Sequence, residues 1–279
     1  MKKYFKIAFM AVAAVTLSMG VTSCSDDDDD NGKEISTLYV PEKIIFSDNY
    51  SYTISYDNDL KIKSINTVDS YNDKYSYEIE YDTQSRISKV KEKWEENNGS
   101  ETYTGEADYI YTYSDNKLTV SIDDSDDNIK WIFTSDAEGK PSGCVYEDDH
   151  SGIDNIVYKY DAEGNLIEST STREGNPFNS TDITYENNVI GIGKDINMSK
   201  LEMISLFEIS EDLSGILLTW NKSIAEINFQ YSSRKQSSTY TYTNGSNGYP
   251  SAFTSKWISN FSEETIESSA TITYKEVKK

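Results

Sequence analysis

Aromatic and polar residues alternate with a period of two along most of this chain. Tyr50, Tyr52, Ile54 and Tyr56 fall on every second position, as do Tyr75, Tyr77, Ile79 and Tyr81. Tyr109, Tyr111 and Tyr113 repeat the pattern, and so do Ile156, Tyr158 and Tyr160. Ser, Thr, Lys and Glu stand between them. Neighbouring residues of a strand point to opposite faces, so each segment has one aromatic face and one polar face. The spacing predicts half-buried antiparallel strands.

Most of these strands run into a turn and then a second strand. Tyr160-Asp161-Ala162-Glu163-Gly164-Asn165-Leu166 is the clearest case. Its Asp can bond the backbone two residues on, and its Gly supplies the positive φ of a tight hairpin. Tyr56-Asp57-Asn58-Asp59-Leu60 and Tyr81-Asp82-Thr83-Gln84-Ser85-Arg86 are variants. Tyr113–Leu118 and Tyr185–Val189 read as looser copies, and Ser135–Gly139 as a degenerate one. The step from Tyr56 to Tyr81 is 25 residues, and the step from Tyr160 to Tyr185 is again 25. A fixed period of that size marks a repeated unit, one hairpin with its return loop. Asn98-Gly99 and Gly175-Asn176-Pro177 sit in return loops.

The repeat lapses over residues 194–220. There Ser199-Lys200-Leu201-Glu202 reads as a capping box, and Met198, Leu201, Ile204 and Phe207 or Glu208 follow helical spacing. A short helix or irregular plug is expected. Strands resume from Ile224 to Tyr231 and continue through Ala270–Tyr274. So long a meander leaves two edges exposed unless it closes on itself. The prediction is an all-β chain over residues 37–279: an antiparallel up-and-down meander of roughly 12–16 strands, closed or nearly closed as a barrel, with one helical insertion. A membrane barrel needs an apolar outer band. Opposite the tyrosines stand Thr53, Ser55, Ser76, Glu78, Glu80 and Lys159, so a water-soluble barrel is expected.

The first residues change the picture of where the chain works. Lys2, Lys3 and Lys6 precede the apolar or small run Ile7–Val21, the charged start and short apolar core of a signal peptide over residues 1–23. The run ends Val21-Thr22-Ser23-Cys24, which resembles a lipobox. The resemblance implies cleavage before Cys24 and acylation of its sulfur. Residues 24–36 then form a tether carrying Asp26–Asp30, a like-charge run that cannot pack. It is similar to the acidic export signal of surface lipoproteins of Bacteroidota, implying the outer leaflet of the outer membrane. The net charge of −22 becomes about −25 once the three leader lysines are removed. Such a surface repels phosphate backbones and argues against nucleic acid as a partner. Only Cys144 would remain as a thiol, so no intrachain disulfide is expected.

The Tyr-Asp-x-x-Gly-x-Leu units resemble the YD repeats of Rhs-type bacterial surface proteins. With the lipobox, Gly248-Tyr249-Pro250 and Thr271-Ile272-Thr273-Tyr274-Lys275, the plan resembles an uncharacterised family of Bacteroidota lipoproteins, a domain of unknown function with a porin-like fold. The similarity covers most of residues 37–277, with Ser135–Cys144 and 194–223 fitting poorly. It implies a fold but no activity and no site residues.

Signals of chemistry are few. His150 is the only histidine and lies in a hydrophilic loop. Gly191-Ile192-Gly193-Lys194 lacks the spacing of a phosphate loop and reads as strand or turn. Asp123–Asn128 and Asp161–Gly164 could offer oxygens to calcium but lack its ligand ladder, so no metal or cofactor is expected. The surplus of acids makes any carboxylate pair uninformative about hydrolysis. Tryptophans carry more. An accessible indole can stack on a sugar, and of Trp94, Trp131, Trp220 and Trp257 the candidates for stacking are Trp94, Trp220 and Trp257. The expected role is a non-enzymatic surface lipoprotein binding an extracellular glycan or partner protein. The alternatives are an envelope structural or assembly component, or a carboxylate-based hydrolase.

Overall fold

The computed structural model describes residues 36–99, 101–123, 128–149, 152–209, 221–231, 234–260 and 265–278. Cys24, the acidic tether, His150 and Trp220 lie outside them. The first eight strands are Thr37–Phe46 (β1), Ser51–Tyr56 (β2), Ile62–Val68 (β3), Lys74–Tyr81 (β4), Ile87–Asn98 (β5), Glu101–Ser114 (β6), Lys117–Asp123 (β7) and Lys130–Ser135 (β8). Pro141–Asp148 (β9), Gly152–Tyr160 (β10), Leu166–Arg173 (β11) and Asn176–Ile190 (β12) follow. The helix Lys200–Ile209 (α1) precedes Lys222–Tyr231 (β13), Arg234–Asn244 (β14), Pro250–Ser259 (β15) and Thr265–Lys278 (β16). Every strand pairs antiparallel with its sequence neighbours, and β1 pairs with β16, closing a sixteen-stranded barrel. The predicted closed meander is what forms.

The alternation sets which face is inside. Tyr52, Ile54, Tyr75, Tyr77, Tyr109 and Tyr111 are buried in the interior. Outside, lysines and acids of adjacent strands meet in cross-strand pairs, among them Lys74–Glu95 at 2.7 Å, Lys91–Glu106 at 2.9 Å and Lys159–Glu168 at 2.6 Å. Each exposed pair adds little stability. Their presence matters because a lipid-facing wall cannot carry them. This wall faces water.

The aspartate turns repeat with one geometry. Oδ1 of Asp57, Asp82, Asp136 and Asp161 accepts the N–H groups two and four residues on, for Asp82 at 2.8 Å from Gln84 and 2.9 Å from Arg86. The Arg86 N–H and guanidinium hold the Asp82 carboxyl below the usual range. The third residue after each Asp takes positive φ: Leu60, Ser85, Gly139 and Gly164. The 136–140 turn is therefore a full member of the set, although its sequence reads as degenerate. Asp115-Asn116 instead makes a two-residue hairpin between Ser114 and Lys117. Tyr185–Val189 makes no turn: β12 runs on to Ile190, whose partner Lys222 lies beyond the insertion.

All these turns lie at one end of the barrel, the turn end. There the register shifts at Ser55/Tyr56, Glu80/Tyr81, Lys159/Tyr160 and Thr184/Tyr185. A bulge sets two residues against one and takes a carbonyl out of the ladder. At four places a tyrosine hydroxyl fills such a gap, while those of Tyr113, Tyr160 and Tyr274 are buried without a partner among the described residues. Tyr81 donates to the Ile62 carbonyl at 2.7 Å, Tyr185 to Leu166 at 2.9 Å, Tyr242 to Ile224 at 2.9 Å and Tyr56 to Pro41 at 2.7 Å. The last residue of each turn covers the next ring: Lys61 over Tyr81, Arg86 over Tyr113 and Lys140 over Tyr160. Burial pushes these hydroxyls up, so they stay donors at ordinary pH.

Residues 191–209, the described part of the insertion between β12 and β13, plug the turn end. The capping box forms as predicted: Glu202 Oε2 accepts the Ser199 hydroxyl at 2.6 Å, and Ser199 Oγ accepts the Glu202 N–H at 3.3 Å. The other Glu202 oxygen takes the Ile87 N–H at 2.7 Å, beside the bulge that starts β5. Asp195 Oδ2 accepts from the Tyr39 N–H and the Tyr249 hydroxyl, each at 2.7 Å, and the Asn197 N–H donates to the Leu60 carbonyl. The helix is buried on nearly every side, Met203 and Leu206 as well as Ile204 and Phe207. One apolar stripe was the expectation; a helix inside a barrel needs apolar residues all round.

The tyrosine stitches give a paired prediction. Tyr81→Phe breaks a buried bond and should cost about 1 kcal/mol. The Tyr113 hydroxyl is buried without a partner, so Tyr113→Phe should cost almost nothing. Urea unfolding of the two variants checks the contrast.

Candidate functional site

Two ends of the interior differ in chemistry. At the turn end, Leu60, Ile62, Ile87, Leu118, Leu166 and Ile204 are sealed from solvent. Toward the far end the inward positions become polar or amphipathic. Ser169, Ser171, Thr181, Asn179 and Ser238 replace aliphatic residues there. Among the described residues no element crosses the far mouth.

All three described tryptophans turn inward near this mouth. Trp94 lies four residues before the β5–β6 tip and pairs with Gly105. A Cβ on Gly105 would stand 2.1 Å from the indole Cζ2, so the ring lies flat on that bare backbone. Only glycine permits the approach. Trp257 is two residues from the end of β15, opposite Ser238 and Ile266. Trp131, second residue of β8, packs between Tyr109 at 6.1 Å and Tyr146 at 5.3 Å. All three are half-buried rather than sealed. The structure brings Trp94 and Trp257 to one end of the barrel but on separate arcs of its wall, β5 and β15.

Acids also face inward here, which the candidates read from the sequence do not include. Tyr75 donates to Glu96 at 2.9 Å, Tyr109 to Glu92 at 2.8 Å and Tyr146 to Asp148 at 3.1 Å. Arg173 clasps Asp154 with two bonds of 2.6 Å, its guanidinium 3.9 Å from the centre of the Phe178 ring. Phe178 meets Tyr231 edge-on at 5.0 Å. The arrangement offers flat rings beside fixed hydrogen-bonding groups. Alternation predicts that Glu92 and Glu96 share the face of Trp94, and this was the signal available.

Deeper, Glu208 of α1 accepts the Tyr158 hydroxyl at 2.9 Å. Burial pushes its carboxyl from 4.5 up to about 7, although the Tyr158 bond pulls the other way. The Cys144 thiol is buried nearby and pushed up by burial and then by Glu208, so it behaves as an inert apolar group. Asp161 spends both oxygens on its own turn, accepting from Glu163, Asn165 and the Asn165 side chain. Among the described residues no group of three or more His, Cys, Asp or Glu is placed to hold a metal. Residues 192–195 form a turn, not a phosphate cradle.

Fold and interior together define a plugged, water-facing up-and-down β-barrel. Two solved structures are similar to it: a porin-like protein from Bacteroides uniformis, 16% identical over 84% of this chain and 98% of that one with TM-score 0.44; and a porin-like protein from Bacteroides vulgatus, 12% identical over 85% and 99% with TM-score 0.40. No family model and no curated protein matches the chain.

Glu208 yields a pH prediction. Its folded-state value of about 7 lies above the ordinary 4.5. Between these limits the folded protein keeps a proton that the unfolded chain has released, so stability falls as pH rises through the window. The full effect is on the order of 3 kcal/mol. Glu208→Gln should flatten that slope in urea unfolding measured across the window.

Proposed function

We propose that this chain is a non-enzymatic, lipid-anchored surface protein whose far mouth binds an extracellular ligand, a glycan being the favoured class. The observation that carries this reading is the set of half-buried indoles at the mouth, Trp94 seated on Gly105 above all. A sugar presents an apolar face suited to a flat ring, and its hydroxyls need fixed partners such as the tyrosine-held carboxylates and Arg173.

The topology supports the location of that mouth. β1 starts and β16 ends at the turn end, since the β1–β2 loop lies at the far end. An anchor at Cys24 joins the barrel through the residues just before Thr37. The plugged end would therefore face the membrane and the tryptophan end would face outward. With α1 filling one end, the barrel serves as a cup rather than a conduit.

The test has two arms on the full-length protein made in a bacterial envelope. Intact mass should show fatty acid that disappears in Cys24→Ser. A glycan array followed by calorimetry should find a ligand whose affinity falls about tenfold in Trp94→Ala, Trp257→Ala and Gly105→Ala. A blank array, or affinities indifferent to all three substitutions, would sink the binding role. Protein without acyl chains would sink the anchor.

A further inference from the structure

Beneath the C-terminus of α1 the barrel wall changes from carbon to oxygen. Two cross-strand pairs of β11 and β12, Ser169 with Thr181 and Ser171 with Asn179, occupy four inward positions, and every one carries a side-chain oxygen. Glu208 comes down on them from the helix, with Ile156 and Phe229 to either side. The space enclosed is about 20 Å³. That holds one small ion or one or two waters, and no organic ligand.

Three features make this space attractive to positive charge. Glu208 lies in the last turn of α1, a turn without any basic residue, so the negative pole of the helix points into the same cavity. Its bonding partner Tyr158 is a neutral hydroxyl, which leaves an ionised carboxyl uncompensated. The side-chain oxygen of Asn179 is buried without a partner, while its backbone N–H is occupied by Ser171 Oγ at 3.2 Å. An acceptor left without a donor in a polar cavity is a place for a cation or a water.

We propose that this cavity is a binding site for a small monovalent cation of the size of sodium, held by Glu208, the Asn179 amide oxygen and the hydroxyls of Ser169, Ser171 and Thr181, directly or through one water. The donors are all hard oxygens, which suit alkali and alkaline-earth ions rather than soft metals. A single carboxylate balances one positive charge. Calcium draws six to eight oxygens, commonly with several carboxylates among them, and here would stay half-neutralised. A carboxylate concentrates its charge on its oxygens and so favours the smaller sodium ion over potassium. The bound ion would tie the end of α1 to the sector β10–β13, a part of the interior distinct from the tryptophan mouth.

The test is thermal unfolding of the full-length protein at mildly alkaline pH, where Glu208 is ionised, in sodium, potassium and choline chloride at matched ionic strength. Sodium should raise the midpoint above choline by about 3–6 °C. The shift should be at least halved in Asn179→Ala and Ser171→Ala and absent in Glu208→Gln. Equal midpoints in sodium and choline overturn the site, as does a sodium shift that persists in Glu208→Gln. A potassium shift equal to that of sodium overturns the preference for sodium. Should Glu208→Gln fail to fold, the alanine variants decide: an undiminished sodium shift in both overturns the assignment of the ligands.

Discussion

The architecture depends on the carbonyl that each turn-end bulge removes from the strand ladder. A barrel of many strands must bend inward at its rim, and bulges supply the bend while orphaning backbone acceptors. An orphaned buried carbonyl is costly. At several bulges the alternating tyrosine of the adjoining hairpin reaches back to satisfy it, as Tyr81 does for Ile62 and Tyr185 for Leu166. The same side chain thus fills the interior with its ring and repairs the backbone with its hydroxyl. Phenylalanine could do only the first, so positions 56, 81, 185 and 242 call for tyrosine.

The plug uses the same economy of exposed polar groups. Glu202 serves the helix cap with one oxygen and the Ile87 N–H with the other, while Asp195 joins β1 to the turn before β15. These bonds fasten the described part of the insertion, residues 191–209, to β1, β5 and the turn before β15. The plug's presence lets the polar groups concentrate at the opposite end, where solvent can reach them.

Much of this was legible in the residues. Period-two tyrosines fixed which face turns inward, and the Tyr-Asp units marked the hairpins, because both signals are local. The capping box at Ser199 marked the helix for the same reason. What alternation could not convey was anything set by partners distant in the chain. Tyr185–Val189 looks like a turn until Lys222 holds Ile190 in a strand. Asp136–Lys140 looks incomplete, yet Gly139 gives it the full geometry. The inward course of Trp94 follows from its phase with Val90, but its contact with Gly105 depends on a cross-strand register that no single segment encodes. Trp131, outside the stacking candidates, is wedged between Tyr109 and Tyr146. The Glu208 cavity joins four strands and a helix, and no spacing announces it.

Closure of β1 onto β16 has a consequence for how the molecule is made. Its nine aligned residue pairs join the opening strand to the final one, more than two hundred positions apart. Until the last strand emerges, the first presents an unsatisfied edge able to recruit strands from other chains. Contacts so remote slow the search for the native state. Until then the chain would need to be kept unfolded or shielded. Loss of the final fourteen-residue strand would remove its ladders to both β1 and β15 and leave an open sheet with two exposed edges.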